Sequence, residues 1–381
     1  MHGERALRVS GLWAAGRRSL DRAALALLLV LVVWWWFVLA VQGSPSDWAF
    51  DFRQFWQGGK DVVAGISPYP SAELLATAGG HLGPEGIREV FRFPYPAGAA
   101  IALAPFGALS FEAAAAVWSA LLILSLLASL WILGVRDWRV LAVVVTAAPV
   151  ISAVRLGTLT PLFVLALAVV WRWRDSRWVA GAALALAISL KLLLWPLVVW
   201  LAATRRYAAA VISAGGAAVL TLGAWAALGF SGLADYPELL RRLADVVGDR
   251  GYSLVALGVQ AGLSEGVATA LPWVVGLALL AAVAVRARKD APERVTFSLA
   301  VLAAIAITPI VWLHYFALLV VPLAVARPRF ALGWTLLWVF WATPVQQNEG
   351  DLWRVVVALA VAVGAIALTW RGARPARGEV A

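Results

Sequence analysis

The chain has 381 residues, 63% of them hydrophobic and 14% charged, with a mean hydropathy of +0.86; soluble domains carry about 25% charged residues, so this composition excludes a soluble globule and implies a polytopic membrane protein. There is no Cys, and the three His are His2, His81 and His314, which excludes disulfides, thiolate metal sites and a His-based metal cluster. The net charge of +10 rests on Arg in short loops between apolar runs, with Lys60, Lys191 and Lys289 the three lysines. That is a topology signal and not the signature of a nucleic-acid binder.

The basic segment 1–22, with Arg5, Arg8, Arg17, Arg18 and Arg22, reads as a cytoplasmic N-terminus. An apolar run from Ala23 to about Val41 follows; its length suits a retained first span better than a signal-peptide core, and no small-residue cleavage site comes after it. Further runs long enough to cross, wholly or in part, fall near 112–134, 138–154, 158–172, 178–190, 192–203, 207–229, 266–286, 294–310, 312–326, 330–346 and 352–370. The shorter ones stop at Pro or at a charge, as broken helices around a cavity do. The basic clusters Arg136/Arg139, Arg172/Arg174/Arg177, Arg205/Arg206, Arg286/Arg288/Lys289, Arg327/Arg329 and Arg371/Arg374/Arg377 belong on the cytoplasmic side. Twelve crossings with both termini inside satisfy all of them. The apolar segment 94–110 is short between its prolines, and counting it as a span would put Arg136 and Arg139 outside, so it reads as a re-entrant helix.

Two large loops, 43–93 and 231–265, then face outward. In the first, Phe52, Phe55, Trp56, Val62 and Val63 share a helical face; in the second, Leu239, Leu240, Leu243, Val246 and Val247 do, with Asp235 as cap, Pro237 in the first turn and Gly248 as stop. Both suit helices lying in the membrane interface. The expected fold class is an all-α bundle of about 12 transmembrane helices, one domain over 23–370, with a basic cytoplasmic tail at 371–381.

Under this topology the polar residues that interrupt apolar runs all land on the outer side: Asp51, Arg155, Lys191, His314 and the group Gln346-Gln347-Asn348-Glu349. The cytoplasmic loops carry no Gly-rich phosphate cradle or other nucleotide motif. Each polar residue has two readings. Asp51 caps a helix beginning at Phe52, with Gln54 completing a capping box, or it serves as a base. Lys191 snorkels or meets an anion. His314 is a hydrogen-bonded core residue or a ligand, and Arg155 pairs with an outer-loop carboxylate or with a substrate. Taken together, one carboxylate and several cations around an outward cavity suit a lipid-linked phosphosugar. Its tail lies in the bilayer and its phosphate at the headgroup level, where Lys191, Arg155 and His314 can neutralise it. One carboxylate base on the acceptor hydroxyl then suffices for displacement at the anomeric carbon. The lack of a second carboxylate nucleophile predicts inversion. Such a reaction calls for no metal or other cofactor, because the monophosphate has a modest charge and cationic side chains are at hand.

Four pieces of the chain carry a resemblance: Asp51-Phe-x-x-Phe-Trp-x-Gly-Gly-x-x-Val-x-x-Gly-x-x-Pro-Tyr69; Phe93-Pro-Tyr-Pro96 with Pro105; Gly181 followed by Lys191-x-x-x-Trp-Pro196; and Thr308-Pro-Ile-Val-Trp-x-His-Tyr315. They resemble the bacterial membrane glycosyltransferase family 87, which includes polyprenol-phosphate-mannose-dependent α-mannosyltransferases, over roughly residues 20–370. The resemblance implies a GT-C fold and transfer, by default of mannose, from a polyprenyl-phosphate sugar to a glycolipid or glycan acceptor. The reaction would take place on the extracytoplasmic face of a bacterial plasma membrane. It maps the family's catalytic carboxylate onto Asp51 and its histidine onto His314; Tyr69, Trp312 and Tyr315, which lie in the same motifs, join Lys191 and Arg155 as expected donor-binding residues. The chain departs from the family at Leu156-Gly157-Thr158, where a Gly-Gln pair is common, and at Tyr315, and both bear on donor or acceptor choice. Arabinofuranosyl transfer on the same fold, and a lipid-linked sugar flippase, are the competing readings.

Overall fold

The computed structural model describes residues 48–70, 92–343 and 351–371. The chain divides after Trp48 into two compact units, Met1–Trp48 and Ala49–Ala381. The expected first span, the basic N-terminus, the polar group 346–349 and all but the first residue of the basic tail lie outside the described residues.

The second unit is helical, with no strand among the described residues. Its helices are α1 (Phe50–Val63), α2 (Ala97–Gly107), α3 (Phe111–Ile132), α4 (Trp138–Thr146), α5 (Ala148–Leu156), α6 (Thr160–Arg172), α7 (Arg177–Leu190), α8 (Pro196–Ala203), α9 (Tyr207–Ala227), α10 (Tyr236–Val247), α11 (Leu254–Gln260), α12 (Glu265–Arg288), α13 (Glu293–Ile307), α14 (Val320–Ala326), α15 (Leu336–Val339) and α16 (Leu352–Arg371). Four of them, α3, α9, α12 and α16, are long and apolar enough to cross a membrane, and α4 with α5 makes a fifth if a 60° bend between them is one span. Several of the others are short apolar helices, among them α2, α6 and α7, while α1 and α10 are amphipathic; short, broken helices were expected, but by length and composition the described residues give four or five crossings and not about twelve.

The breaks have local causes. Pro149 sits in the first turn of α5 and cannot continue the ladder of α4, so the chain turns at Ala147. The Thr146 hydroxyl and carbonyl left at this bend accept the indole N–H groups of Trp338 (2.9 Å) and Trp341 (2.8 Å). Those tryptophans come from a tightly wound run, Leu332–Ala342, in place of the continuous apolar helix expected over 330–346. Likewise α13 ends at Ile307, where Thr308 returns its hydroxyl to the Ala304 carbonyl (2.8 Å) and Pro309 prevents further helix. A 3₁₀ stretch, Leu313–Leu319, follows.

The core is centred on α13, which is buried on every side from Val295 to Val301 and again from Ala303 to Ile307. A helix apolar all round belongs inside a bundle. In α12, by contrast, Val267, Trp273, Val274, Leu277 and Val285 are exposed, as on a helix that meets lipid.

Most of the basic clusters converge. Glu293 accepts from Arg174 (2.6 Å) and Arg206 (2.7 Å), and Arg206 also pairs with Asp175 (2.7 Å). Arg286 covers the Trp370 ring, Arg294 donates to the Thr369 carbonyl, and Asp137 accepts from the Phe330 N–H. These ties join the ends of α6, α9, α12, α13 and α16 at one end of the bundle, and separately join the loop before α4 to the one after α14. The opposite end holds Asp51, Arg155, Lys191 and His314.

Helix α1 is not a free interfacial helix. Its Gly59 lies so close to α2 that an added Cβ would sit 2.6 Å from the Leu103 carbonyl oxygen. Phe52 and Phe55 are fully buried, as expected, but Val63 is exposed, and the inward face is completed by Gly58, Gly59 and Asp61. Asp61 pairs with Arg92 and accepts from Gln57. Helix α10 keeps the expected stop at Gly248 and Pro237 in its first turn; Asp235 stands at the cap position without a side-chain cap bond, and of its apolar face Leu239 is buried.

Candidate active site

Asp51 does not cap a helix at Phe52. Helix α1 begins one residue earlier than Asp51, behind Ala49, whose backbone is left-handed (φ 55°) and whose N–H donates to the Arg155 carbonyl (2.8 Å). That tertiary bond fixes the start of the helix and places Asp51 in its first turn, where the helix dipole favours a carboxylate. Phe52 stacks on Trp118 (5.4 Å between centroids), and the Trp118 indole donates to the Gly157 carbonyl (2.8 Å). Helix α1 is therefore locked against the turn between α5 and α6, and Arg155, half-buried at the end of α5, comes beside it.

The second wall is the loop Phe93-Pro94-Tyr95-Pro96. Tyr95 packs on Phe55 (4.4 Å), and Tyr69 donates its hydroxyl to the Tyr95 carbonyl (2.8 Å). Tyr69 is itself stacked on Trp225 (4.6 Å) and flanked by Phe93 and Tyr236. Its phenol is thus used to fix the loop. Tyr236, at the start of α10, donates to the Pro94 carbonyl (3.3 Å) and brings the second outer loop to the same place.

Lys191 supplies the cation. It is the extended residue (φ −163°) that ends α7, and the chain leaves it in a 3₁₀ turn, Leu192–Leu194. Its ammonium donates to the Tyr315 hydroxyl and lies over both the Tyr95 ring (5.1 Å) and the Tyr315 ring (4.8 Å). His314 is 4% exposed, tilted against Tyr315 (4.8 Å), and its Nδ1 has no hydrogen-bond partner among the described residues. Trp312 is half-buried, next to the backbone bond from Tyr252 N–H to the Val311 carbonyl (2.7 Å).

Asp51, Lys191, His314, Tyr315 and Tyr95 form one electrostatic group: the Lys191 charge acts on both Asp51 and His314, and the Asp51 charge acts on Tyr95. Asp51 keeps part of its surface accessible, yet the protein around it withdraws the carboxylate from bulk water. That burial pushes its pKa up to about 6, against the opposing pull of Lys191. No hydrogen bond or ion pair engages the carboxylate among the described residues, so it is available to a substrate hydroxyl. Thr158, in contrast, is buried and accepts the Thr160 N–H (3.2 Å) at the start of α6, which is a structural use. No group of three His, Asp or Glu side chains converges as a metal site among the described residues.

Sequence reasoning passed over Tyr95 and Tyr236. Tyr95 lies in the motif Phe93-Pro-Tyr-Pro96, where a proline on each side signals a fixed loop; nothing in the sequence marks Tyr236.

The profile of glycosyltransferase family 87 matches residues 93–312, more than half of the chain. The chain belongs to glycosyltransferase family 87. This glycosyltransferase is therefore a transferase of the membrane, and it acts on a sugar donor and an acceptor. The matched region contains Tyr95, Arg155, Lys191, Tyr236 and Trp312, and Asp51, Tyr69, His314 and Tyr315 lie outside it. No curated protein and no solved structure matches the chain.

Proposed function

We propose that this glycosyltransferase transfers a sugar, mannose by family default, from a polyprenyl-phosphate donor to a hydroxyl of a glycolipid or glycan acceptor, with inversion at the anomeric carbon. The observation that carries the reading is the Asp51 carboxylate, withdrawn from bulk water and without a hydrogen-bond or ion-pair partner among the described residues, in the field of the Lys191 ammonium at a helix break. Asp51 takes the proton of the acceptor hydroxyl as that oxygen attacks the anomeric carbon. The bond from that carbon to the phosphate oxygen breaks, and its electrons leave with the lipid phosphate. Lys191, with His314 and Arg155, offsets the second negative charge that the phosphate gains on leaving. Trp312 and Tyr315 line the donor side, and Tyr69 shapes it through the Tyr95 loop. The reading uses no metal or other cofactor.

In this reading α1, α2 and α10 lie at the extracytoplasmic surface of a bacterial plasma membrane. The bundle is of the GT-C type: the short apolar helices complete about twelve crossings, with both termini cytoplasmic and one domain over 23–370. The segregation of basic clusters to one end and Asp51, Lys191 and His314 to the other supports this orientation. The test is transfer of labelled mannose from polyprenyl-phosphate-mannose by membranes containing the wild type or Asp51→Asn, with pentose and glucose donors in parallel. Incorporation that depends on Asp51 supports the reading, and translocation of a lipid-linked sugar without transfer would replace it with the flippase.

A further inference from the structure

Lys191 has two partners of opposite use within reach. Asp51 feels its charge, and a donor phosphate would require it; an ammonium that closed on Asp51 would be lost to the phosphate and would tie up the base. The site holds it elsewhere. The Lys191 ammonium donates to the Tyr315 hydroxyl and lies over the Tyr95 ring, while no ion pair joins it to Asp51 among the described residues. Both walls of this box are rigid. Tyr95 is fixed by Phe55 and by the Tyr69 hydroxyl on its carbonyl. Tyr315 is 3% exposed, in a 3₁₀ stretch whose neighbours Phe316 to Leu319 are all buried, and its N–H donates to the Trp312 carbonyl (3.0 Å). An aromatic face and a hydroxyl acceptor together favour a defined position for a cation.

We propose that Tyr315 is a positioning residue, whose hydroxyl, with the Tyr95 ring, parks the Lys191 ammonium apart from Asp51 so that one site can hold a free base and a free cation. This deepens, and rests on, the reading of Asp51 as base. The groups that act on or with Asp51 are Lys191, from the break after α7, and Tyr95, from the loop before α2; Tyr315 and Tyr236 act in turn on Tyr95, Lys191 acts on His314, and the Arg155 carbonyl holds the start of α1. Of these, Lys191 is the one whose position the Tyr315 hydroxyl controls.

The test is the pH dependence of kcat/KM for the donor in full-length membrane protein. Tyr315→Phe keeps the ring and removes the hydroxyl. The ammonium then turns to Asp51, the acid limb moves down by about one pH unit, and kcat/KM at neutral pH falls about tenfold. Lys191→Met moves the limb the other way, above that of the wild type, and Tyr315→Phe added to Lys191→Met moves it no further. Lys191→Met thus gives a second arm of the test if Tyr315→Phe does not accumulate in the membrane. An acid limb that Asp51→Asn abolishes but that both Tyr315→Phe and Lys191→Met leave in place would overturn the parking of Lys191 alone. An active Asp51→Asn enzyme would remove the base, and the proposal with it.

Discussion

At the scale of single residues, the account turns on a carboxylate that is costly to ionise. In its proposed role as base Asp51 must be deprotonated to act, so with its carboxyl pushed up to about 6 by burial the rate should fall as pH drops through about 6. Asp51→Asn is expected to lower kcat by about 10² to 10⁴. The same shift has a sign for stability. A carboxyl whose folded pKa is raised contributes stability below the unfolded value near 3.8, and that contribution is lost as pH rises through about 6. Asp51→Asn protein should accordingly melt above the wild type at pH 7.5 and lose that advantage below pH 4. Equal melting temperatures at both pH values would show that Asp51 is as well solvated as in an unfolded chain. Lys191→Met leaves a bound phosphate without its cation, a penalty on the order of 3 to 5 kcal/mol for a partly buried partner. The donor KM should therefore rise, or kcat/KM fall, by orders of magnitude; unchanged donor kinetics would mean that Lys191 serves the structure alone.

At the scale of elements, the site depends on close approaches of backbone. Gly98, in the first turn of α2, faces the end of α7; a Cβ there would sit 2.5 Å from the Ser189 carbonyl oxygen, two residues before Lys191. Gly98→Ala should push Tyr95 and Lys191 apart and reduce kcat/KM by about tenfold or more, with a smaller loss of stability than of activity. Wild-type kinetics in Gly98→Ala would show that the two walls adjust independently. Such contacts explain what could and could not be read in advance. The prolines at 94, 96 and 309 marked where segments are cut short, and the structure uses them so, whereas the bend at Pro149 and the close approach of chains at Gly58 and Gly59 were not read from the sequence. Amphipathic spacing found Phe52, Phe55 and Leu239. It missed the start of α1, because that start is set by a bond from Ala49 to Arg155, more than a hundred residues away. It missed Tyr95 and Tyr236 for the same reason: each acts through a neighbour from a distant segment.

At the scale of the whole molecule, the charge segregation that topology rules anticipated has a physical counterpart in the ion pairs of Arg174, Arg206, Asp175 and Glu293. The bounds of the apolar runs were largely legible: 112–134, 158–172, 178–190, 207–229, 266–286 and 352–370 return as α3, α6, α7, α9, α12 and α16. What composition did not reveal is the bend at Pro149 inside 138–154 and the 3₁₀ turns within 192–203, 312–326 and 330–346. Because the chain lacks Cys, single-Cys variants report its orientation directly. Ser264→Cys and Lys289→Cys flank the 24-residue α12, whose length of about 36 Å spans a bilayer. A membrane-impermeant maleimide should label Ser264→Cys in intact cells and Lys289→Cys only after permeabilisation, and the reverse pattern would invert the proposed orientation. Glu293→Ala, which strips Arg174 and Arg206 of their shared partner, should cost on the order of 1 kcal/mol of stability and leave kcat unchanged, since it lies at the end remote from Asp51.

Sugar transfer from a lipid phosphate by way of Asp51 is open to a single assay. Membranes carrying the wild type should move labelled mannose from polyprenyl-phosphate-mannose into acceptor lipid or glycan, with an acid limb near pH 6, while membranes with equal amounts of Asp51→Asn should not. Undiminished transfer by Asp51→Asn would contradict the account.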